Sequence, residues 1–372
     1  MKKLQFLAVL FAVSIPLAFS GCGKTKKTVK TYDDGHIIAK VDDKSSIDYA
    51  TAYTYVKILQ AEAYSYTKNI IDSTNSANTE IWSTKLNDDS GYDTYGDQFK
   101  GDALDSIKDL LLCQAHSSDY DIEFSDDDSA KCDETASKFI ENTGDKTVAA
   151  MHADKESVSE LLKLLTIENR VKDQVEKDVD TEVSNDDAGQ STFSYVKITK
   201  KDNKNPDKLT KKIIKNTDKG TDFATAVSDE GLTSTDVSFT TTIPEYDTYG
   251  KEMLKHALDM KDGECSSYED SNKNVIVMYM KAVNDSDATE SKKTEIIEKR
   301  KSDAYDAKLK EWEDENGVDI DKKAWESISV DDENIFKSKE SDETTTLDSG
   351  DSSVSVDASL SDKNDSVEGE DK

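Results

Sequence analysis

The chain has 372 residues, of which 79 are acidic and 48 are basic, and its formal net charge is −31. So acidic a chain is repelled by phosphate backbones, which excludes nucleic acid as a partner. Only 35% of its residues are hydrophobic. The length therefore allows two domains, but their cores are expected to be thin and strongly solvated.

The first 21 residues have the pattern of a signal peptide. Two lysines at positions 2 and 3 precede the apolar run Leu4 to Ala18, which is too short to span a membrane comfortably. The run ends in Phe19-Ser20-Gly21-Cys22, which resembles the lipobox of bacterial lipoproteins, with Phe19 where leucine is usual. The pattern predicts cleavage after Gly21 and lipid, including palmitate, on Cys22.

A lipid-bearing Cys22 would hold the protein on the outer face of the cell membrane, because two acyl chains anchor where one binds only marginally. Residues 22–33 contain four lysines and form a basic tether beside an anionic surface. The segment Gly21 to Thr25 resembles part of a phosphate-binding loop, but it has Ala18 where that loop needs glycine. We therefore expect no ATP dependence and no cofactor.

Three cysteines remain after Cys22, namely Cys113, Cys132 and Cys265. Their odd number and spacing predict neither a disulfide framework nor a metal site. Buried thiols are the favoured interpretation, with a Cys113–Cys132 bridge as the alternative. The alternating acids at 119–123 and 285–287 lack the glycine and terminal glutamate of a calcium loop, so no metal site is expected there either.

Residues 34–183 are predicted to form a helical lobe. A short strand, His36 to Val41, precedes Ser45-Ser46-Ile47-Asp48, whose spacing predicts the cap of a first helix. That helix carries Tyr49, Tyr53, Val56, Leu59 and Ala63 on one face. Further apolar stripes predict helices through 104–115, 136–140 and 158–175.

Residues 184–285 have a different character, with alternating strands at Phe193 to Thr199 and Val275 to Val283 and short helices between them. This pattern predicts a compact α+β domain. Residues 286–336 contain a long charged helix, about Ser291 to Trp312, which must pack on another body. Its expected inward residues are Ile296, Ile297, Ala304, Leu309 and Trp312. Residues 337–372 are acidic and almost without large apolar residues, which predicts a disordered tail.

This order of segments resembles the PrsA-type foldase lipoproteins of Gram-positive bacteria, relatives of the periplasmic chaperone SurA, over roughly Ile37 to Val330. The similar segments are Ile38 to Tyr53, Asp180 to Thr199, Gly220 to Ala224 and Lys261 to Glu264. The resemblance implies an α+β fold, with a mainly helical chaperone lobe built from N- and C-terminal segments and a small parvulin-like α+β domain. It also implies an extracytoplasmic location in a Gram-positive cell.

The chain departs from active parvulins, which resemble one another in two strand histidines and a paired-glycine loop. The first histidine position falls at Tyr195 and the second at Ile276, with Val275 as the alternative under a one-residue shift. The loop, Leu232 to Thr242, is mostly threonine and serine. The four histidines of the chain, His36, His116, His152 and His256, lie outside both strands. No catalytic residue is assigned, and little or no isomerase activity is expected.

The leading hypothesis is a membrane-anchored chaperone or foldase that binds unfolded or nascent exported proteins without ATP. Its client-binding candidates are Tyr49, Tyr53, Tyr64 and Tyr66, whose amphipathic rings suit weak contact with many apolar segments. The simpler alternative is that these tyrosines seal the lobe's core. Two other functions are an active parvulin-type prolyl isomerase and a solute-binding lipoprotein, which normally has two α/β lobes. The oligomeric state stays open.

Overall fold

A computed structural model describes residues 17–21, 32–73, 80–86, 90–201, 203, 205–242, 246–331 and 334–338. Side chains are not described for 17–21, 65–73, 246–247 and 334–338. Cys22, most of the predicted signal peptide and tether, and residues 339–372 of the predicted tail lie outside the described residues. The described chain is mixed α and β, mainly helical, with small antiparallel sheets.

The helical lobe opens on a small sheet. Strands β2 (Ile37–Lys40) and β3 (Ser46–Asp48) form a hairpin, and β8 (Asp319–Ile320) pairs with the other edge of β2. Helix α1 (Tyr49–Ser73) follows β3 directly. The predicted cap at Ser45 is wrong, because Ile47 is buried as part of the hairpin. Asp48 takes the capping role and accepts a hydrogen bond from the Thr51 backbone at 2.8 Å.

Four more α-helices complete the N-terminal part of the lobe, and three of them begin where a side chain can satisfy free backbone N–H groups. They are α2 (Tyr95–His116), α3 (Asp126–Thr143), α4 (Asp145–Ala150) and α5 (Lys155–Lys177). Reciprocal capping boxes start α2 at Thr94, α3 at Ser125 and α5 at Asp154. The predicted stripes become the buried faces of these helices, with Ile107, Phe139 and Leu161 among them.

The second unit is built on an antiparallel sheet in which the strands lie side by side in the order β5 (Thr235–Thr240), β4 (Gln190–Ile198), β7 (Val275–Asp285) and β6 (Cys265–Glu269). Its elements are α6 (Asn185–Ala188), β4 (Gln190–Ile198), α7 (Pro206–Thr217), α8 (Phe223–Ser228), β5 (Thr235–Thr240), α9 (Tyr246–Tyr249), α10 (Lys251–Leu258), β6 (Cys265–Glu269) and β7 (Val275–Asp285). Alternation along β4 sends Phe193 to a core under α10 and Val196 to a core under α7 and α8. The sheet is therefore covered on both faces.

The long helix α11 (Ser286–Asn316) returns to the helical lobe and packs against α5 and α2. Tyr305, Leu309 and Trp312 are its buried residues, and they meet Cys113 of α2 and Val171 of α5. The predicted inward residues Ile296, Ile297 and Ala304 are only half-buried. Helix α12 (Lys322–Ser327) then joins the main core of the lobe through Trp325.

The described ends of the chain meet each other. Backbone residues Leu17–Gly21 (β1) pair antiparallel with Asn334–Ser338 (β9). Position 337 is therefore a strand residue, which corrects the predicted start of the tail. Cys113 and Cys132 are free, buried thiols, so the bridge considered from the sequence does not form; Cys265 is free and half-buried. No described helix is long and apolar enough to cross a membrane.

Candidate functional site

The start of α1 gathers several rings into one group, here called the aromatic cluster: Tyr32, His36, Tyr49, Tyr53 and His152. Tyr49 lies 5.7 Å from Tyr53 and 5.8 Å from Tyr32 between ring centroids, and Tyr53 lies 4.6 Å from His152. Residues 49 and 53 are one helical turn apart, so α1 presents both rings on one side. The turn before α5 supplies His152.

Tyr49 and Tyr53 differ in what they can contact. Tyr49 is 1% exposed, and its hydroxyl accepts a hydrogen bond from Ser327 Oγ at 3.2 Å. Burial raises the pKa of Tyr49 above its ordinary value. Tyr53 is half-buried, and burial raises its pKa to about 12. Both hydroxyls are therefore neutral in the physiological range, and Tyr53 is the member of the pair with surface left for a ligand.

The other two tyrosine candidates are not part of the aromatic cluster. Tyr64 is half-buried and packs against the main core of the lobe, several turns further along α1. The side chain of Tyr66 lies outside the described residues. The structure thus brings together Tyr49 and Tyr53, and it gives Tyr49 the sealing role that the simpler alternative proposed.

Lys57 is a residue of this region that the sequence interpretation missed. It is 1% exposed, and its Nζ lies 5.0 Å from the centroid of the Tyr53 ring. Nζ donates to Gln60 Oε1 at 3.1 Å and also to the backbone carbonyl of Ser329. Burial lowers the pKa of Lys57 to about 7, against the opposing charge of Asp331. The available signal was a lysine one turn after Tyr53 on the apolar face of the helix.

Carboxylates surround the aromatic cluster. His36 Nε2 lies 2.9 Å from Asp321 Oδ2, and His152 Nδ1 lies 3.1 Å from Asp34 Oδ1. Hydrogen bonds from the α12 backbone and from His36 lower the pKa of Asp321, so it is ionised in the physiological range. An aromatic surface with an anionic rim suits an apolar segment flanked by basic residues.

In the second unit, Tyr195 and Ile276, the two positions that the sequence resemblance set against the histidines of active parvulins, share one face of the sheet. Tyr195 and Ile276 both border the core under α10, whereas Val275 belongs to the opposite core. Ile276 is 2% exposed and has no polar group to offer a substrate. Ile276 thus shares a sheet face with Tyr195 and Val275 does not, and neither of these two aliphatic side chains can exchange a proton.

A histidine nevertheless reaches this face from α10. His256 Nε2 is 2.8 Å from Ser266 Oγ, and its ring lies 4.9 Å from that of Tyr268. Ser266 is paired across the sheet with Met278, which is itself paired with Tyr195. The sequence could not place His256 here because it lies on a helix outside both strands.

The described residues include no group of three His, Cys, Asp or Glu side chains able to hold a metal ion. The candidate site thus has two parts. One is the aromatic cluster with Lys57, and the other is the His256–Ser266 pair in the second unit. These groups can orient a bound peptide through weak hydrogen bonds and ring contacts. In the His256–Ser266 pair a hydroxyl lies 2.8 Å from an imidazole nitrogen, which is the spacing of a nucleophile beside a base.

No family model matches the chain, and no curated protein matches it. Among solved structures, it is similar to the foldase protein PrsA of Streptococcus pneumoniae strain Canada MDR_19A, at 14% identity over 66% of this chain and 98% of that chain, with a TM-score of 0.25. It is also similar to the foldase protein PrsA of Lactococcus lactis, at 14% identity over 62% and 87% of the two chains, with a TM-score of 0.26. Likenesses this distant carry no argument about function.

Proposed function

We propose that this protein is a membrane-anchored, extracytoplasmic chaperone or foldase that binds unfolded exported proteins without ATP. The observation that carries the proposal is the half-buried Tyr53 ring within the aromatic cluster, beside an anionic rim. An amphipathic ring on a rigid helix supplies contact area at low entropy cost and accepts many apolar partners. Weak, broad contact of this kind is what a holdase needs.

The test is suppression of aggregation of a denatured secreted protein by the purified protein. We expect Tyr53→Ala to weaken suppression several-fold because the exposed part of the ring is lost. Tyr92→Ala is the matched control, since Tyr92 is an exposed tyrosine, 39% accessible, outside the aromatic cluster. Absence of suppression by the unmodified protein at equimolar or higher ratio would contradict the chaperone proposal.

Anchoring is proposed through lipid on Cys22 after cleavage behind Gly21. The support is the sequence pattern of residues 1–22. Cys22→Ala should move the protein from the membrane fraction to the soluble or secreted fraction. Retention of the variant in the membrane fraction would contradict the lipid anchor.

A second candidate function is prolyl isomerisation, and the position of His256 beside Ser266 on the sheet face is the observation in its favour. Twisting the prolyl amide must overcome a barrier of about 18–20 kcal/mol, and polar groups near the twisted bond lower it. A protease-coupled assay with an Xaa-Pro peptide tests this function. We expect a rate near the uncatalysed one; a high rate that His256→Ala abolishes would establish the second candidate instead.

A further inference from the structure

A short extended segment is seated on the helical lobe at one particular strip of surface. Strand β1 pairs with β9 through a continuous antiparallel ladder in which Leu17 lies opposite Ser338, Phe19 opposite Phe336 and Gly21 opposite Asn334. The same segment packs against α3 and α4, while β9 packs along α1. We call this strip, formed by β9, α3 and α4, the β9 slot.

The occupant of the β9 slot belongs to the part of the chain that we propose to be removed. Its sequence, LAFSG, is the apolar end of the predicted signal peptide, and the proposed cleavage follows Gly21. Within the described residues, β9 has no other strand partner. Processing would therefore leave one edge of β9 with free backbone N–H and C=O groups, which is a template for another extended chain.

Charge gives the slot a direction. Gly21 is followed within nine residues by four lysines, Lys24 to Lys30, while Asn334, its ladder partner, is preceded in the sequence by three acids. In an antiparallel ladder the C-terminal end of one strand lies beside the N-terminal end of the other. The slot thus favours an apolar segment whose basic residues follow it, and opposite charges steer such a segment into register.

We propose that in the processed protein the β9 slot binds an extended apolar segment of an unfolded polypeptide, followed by basic residues, by adding it as an antiparallel strand to β9. The backbone ladder supplies affinity that is independent of sequence, and the apolar sequence of the β1 segment that lies against α3 and α4 is the observation that points to an apolar occupant. The inference rests on the proposed chaperone function and names the place and chemistry of one client contact.

A crosslinking experiment tests both the contact and its register. The processed protein is extracted from membranes in detergent, with Cys265→Ser to remove the half-buried thiol. Single variants Phe336→Cys and Asn334→Cys are each mixed with a synthetic peptide of residues 15–27 that carries Cys22→Ser and one new cysteine, at position 19 or position 21. Residues opposite each other in a ladder have neighbouring Cβ atoms, so matched cysteines can form a disulfide.

We expect position 336 to crosslink to position 19, and position 334 to position 21, at least tenfold faster than the exchanged pairs. Peptides in which Lys24, Lys26 and Lys27 are replaced by glutamate should crosslink several-fold more slowly. Equal rates for matched and exchanged pairs, or no crosslink in any pair, would overturn the slot proposal.

Aggregation suppression by the same processed protein, with no engineered cysteine, separates the two proposals. Competition by the unmodified peptide, which lowers suppression, supports the slot as a client site. Suppression without register-specific crosslinking overturns the slot and leaves the chaperone function standing. Register-specific crosslinking without suppression overturns the chaperone function and with it the client role of the slot.

Discussion

Trp312 is the residue through which the architecture of the helical lobe can be tested most directly. It is 3% exposed on α11, its ring stacks on His116 at 4.7 Å with an 8° angle between planes, and Tyr120 meets its edge at 6.0 Å. A tryptophan buries about 150–250 Å², and aromatic pairs add roughly 0.5–1.5 kcal/mol each. Trp312→Ala should therefore lower the free energy of unfolding by about 3–5 kcal/mol.

The measurement is urea denaturation followed by circular dichroism, which reports on the helices that form most of the lobe. Lys310→Ala is the matched control, because Lys310 is exposed on the same helix and its removal leaves the packed face intact. Limited proteolysis should cut α11 faster in Trp312→Ala than in the control. If the two variants lose the same small free energy, below about 1 kcal/mol, α11 does not pack on α2 and α5 as described.

Three titration predictions follow from buried or paired groups. Asp128 accepts two hydrogen bonds from Arg170, at 2.7 and 3.0 Å, which hold the pKa of Asp128 well below its usual range. Asp128→Asn should lower the free energy of unfolding by about 1–3 kcal/mol at pH 7. The difference from wild type should disappear as acid protonates the wild-type carboxylate. Burial raises the pKa of Glu62 to about 7. The carboxyl group of the unfolded chain therefore loses its proton at lower pH than that of the folded chain, and the stability of the wild type falls between about pH 4.5 and 7. Glu62→Gln should lack that fall when denaturation midpoints at pH 5 and 8 are compared. Burial lowers the pKa of Lys57 to about 7 from 10.5. The unfolded chain therefore keeps this proton to higher pH than the folded chain, and the free energy of unfolding increases as pH rises from 7. Lys57→Met should remove this slope between pH 7 and 9, and an unchanged slope would contradict the lowered pKa of Lys57.

Local signals made much of the helical lobe predictable. Ser125 with Asp128 encodes a helix start within one turn of sequence, and the apolar stripe of α5 through Leu161 and Val171 encodes a buried face within about three turns. The first helix was misplaced at its start because Ser45 to Asp48 satisfies the spacing of a cap while also forming a strand. Pairing with β2 makes this segment a strand rather than a helix cap, and the spacing of the cap residues carries no information about that pairing.

The parts that escaped prediction depend on long-range contacts. Tyr305 and Ala304 are neighbours on a highly charged helix, and only the position of α2 and α5 makes Tyr305 the buried one. Tyr49 and Tyr53 are equivalent by periodicity, yet the hydroxyl of Ser327 and the strands around the start of α1 bury only Tyr49. The β1–β9 ladder joins the two ends of the described chain, and its strands carry no local pairing signal.

The contact between Cys113 and Tyr305, at 3.3 Å, joins residues 192 positions apart, and it has a consequence for biosynthesis. A ribosome adds about 5–20 residues per second, so Leu112 and Cys113 of α2 wait on the order of 10 s for the helix that covers them, whereas the rest of the buried face of α2 packs in the main core without α11. During that interval the nascent polypeptide is itself an incompletely assembled molecule that must be kept from aggregating.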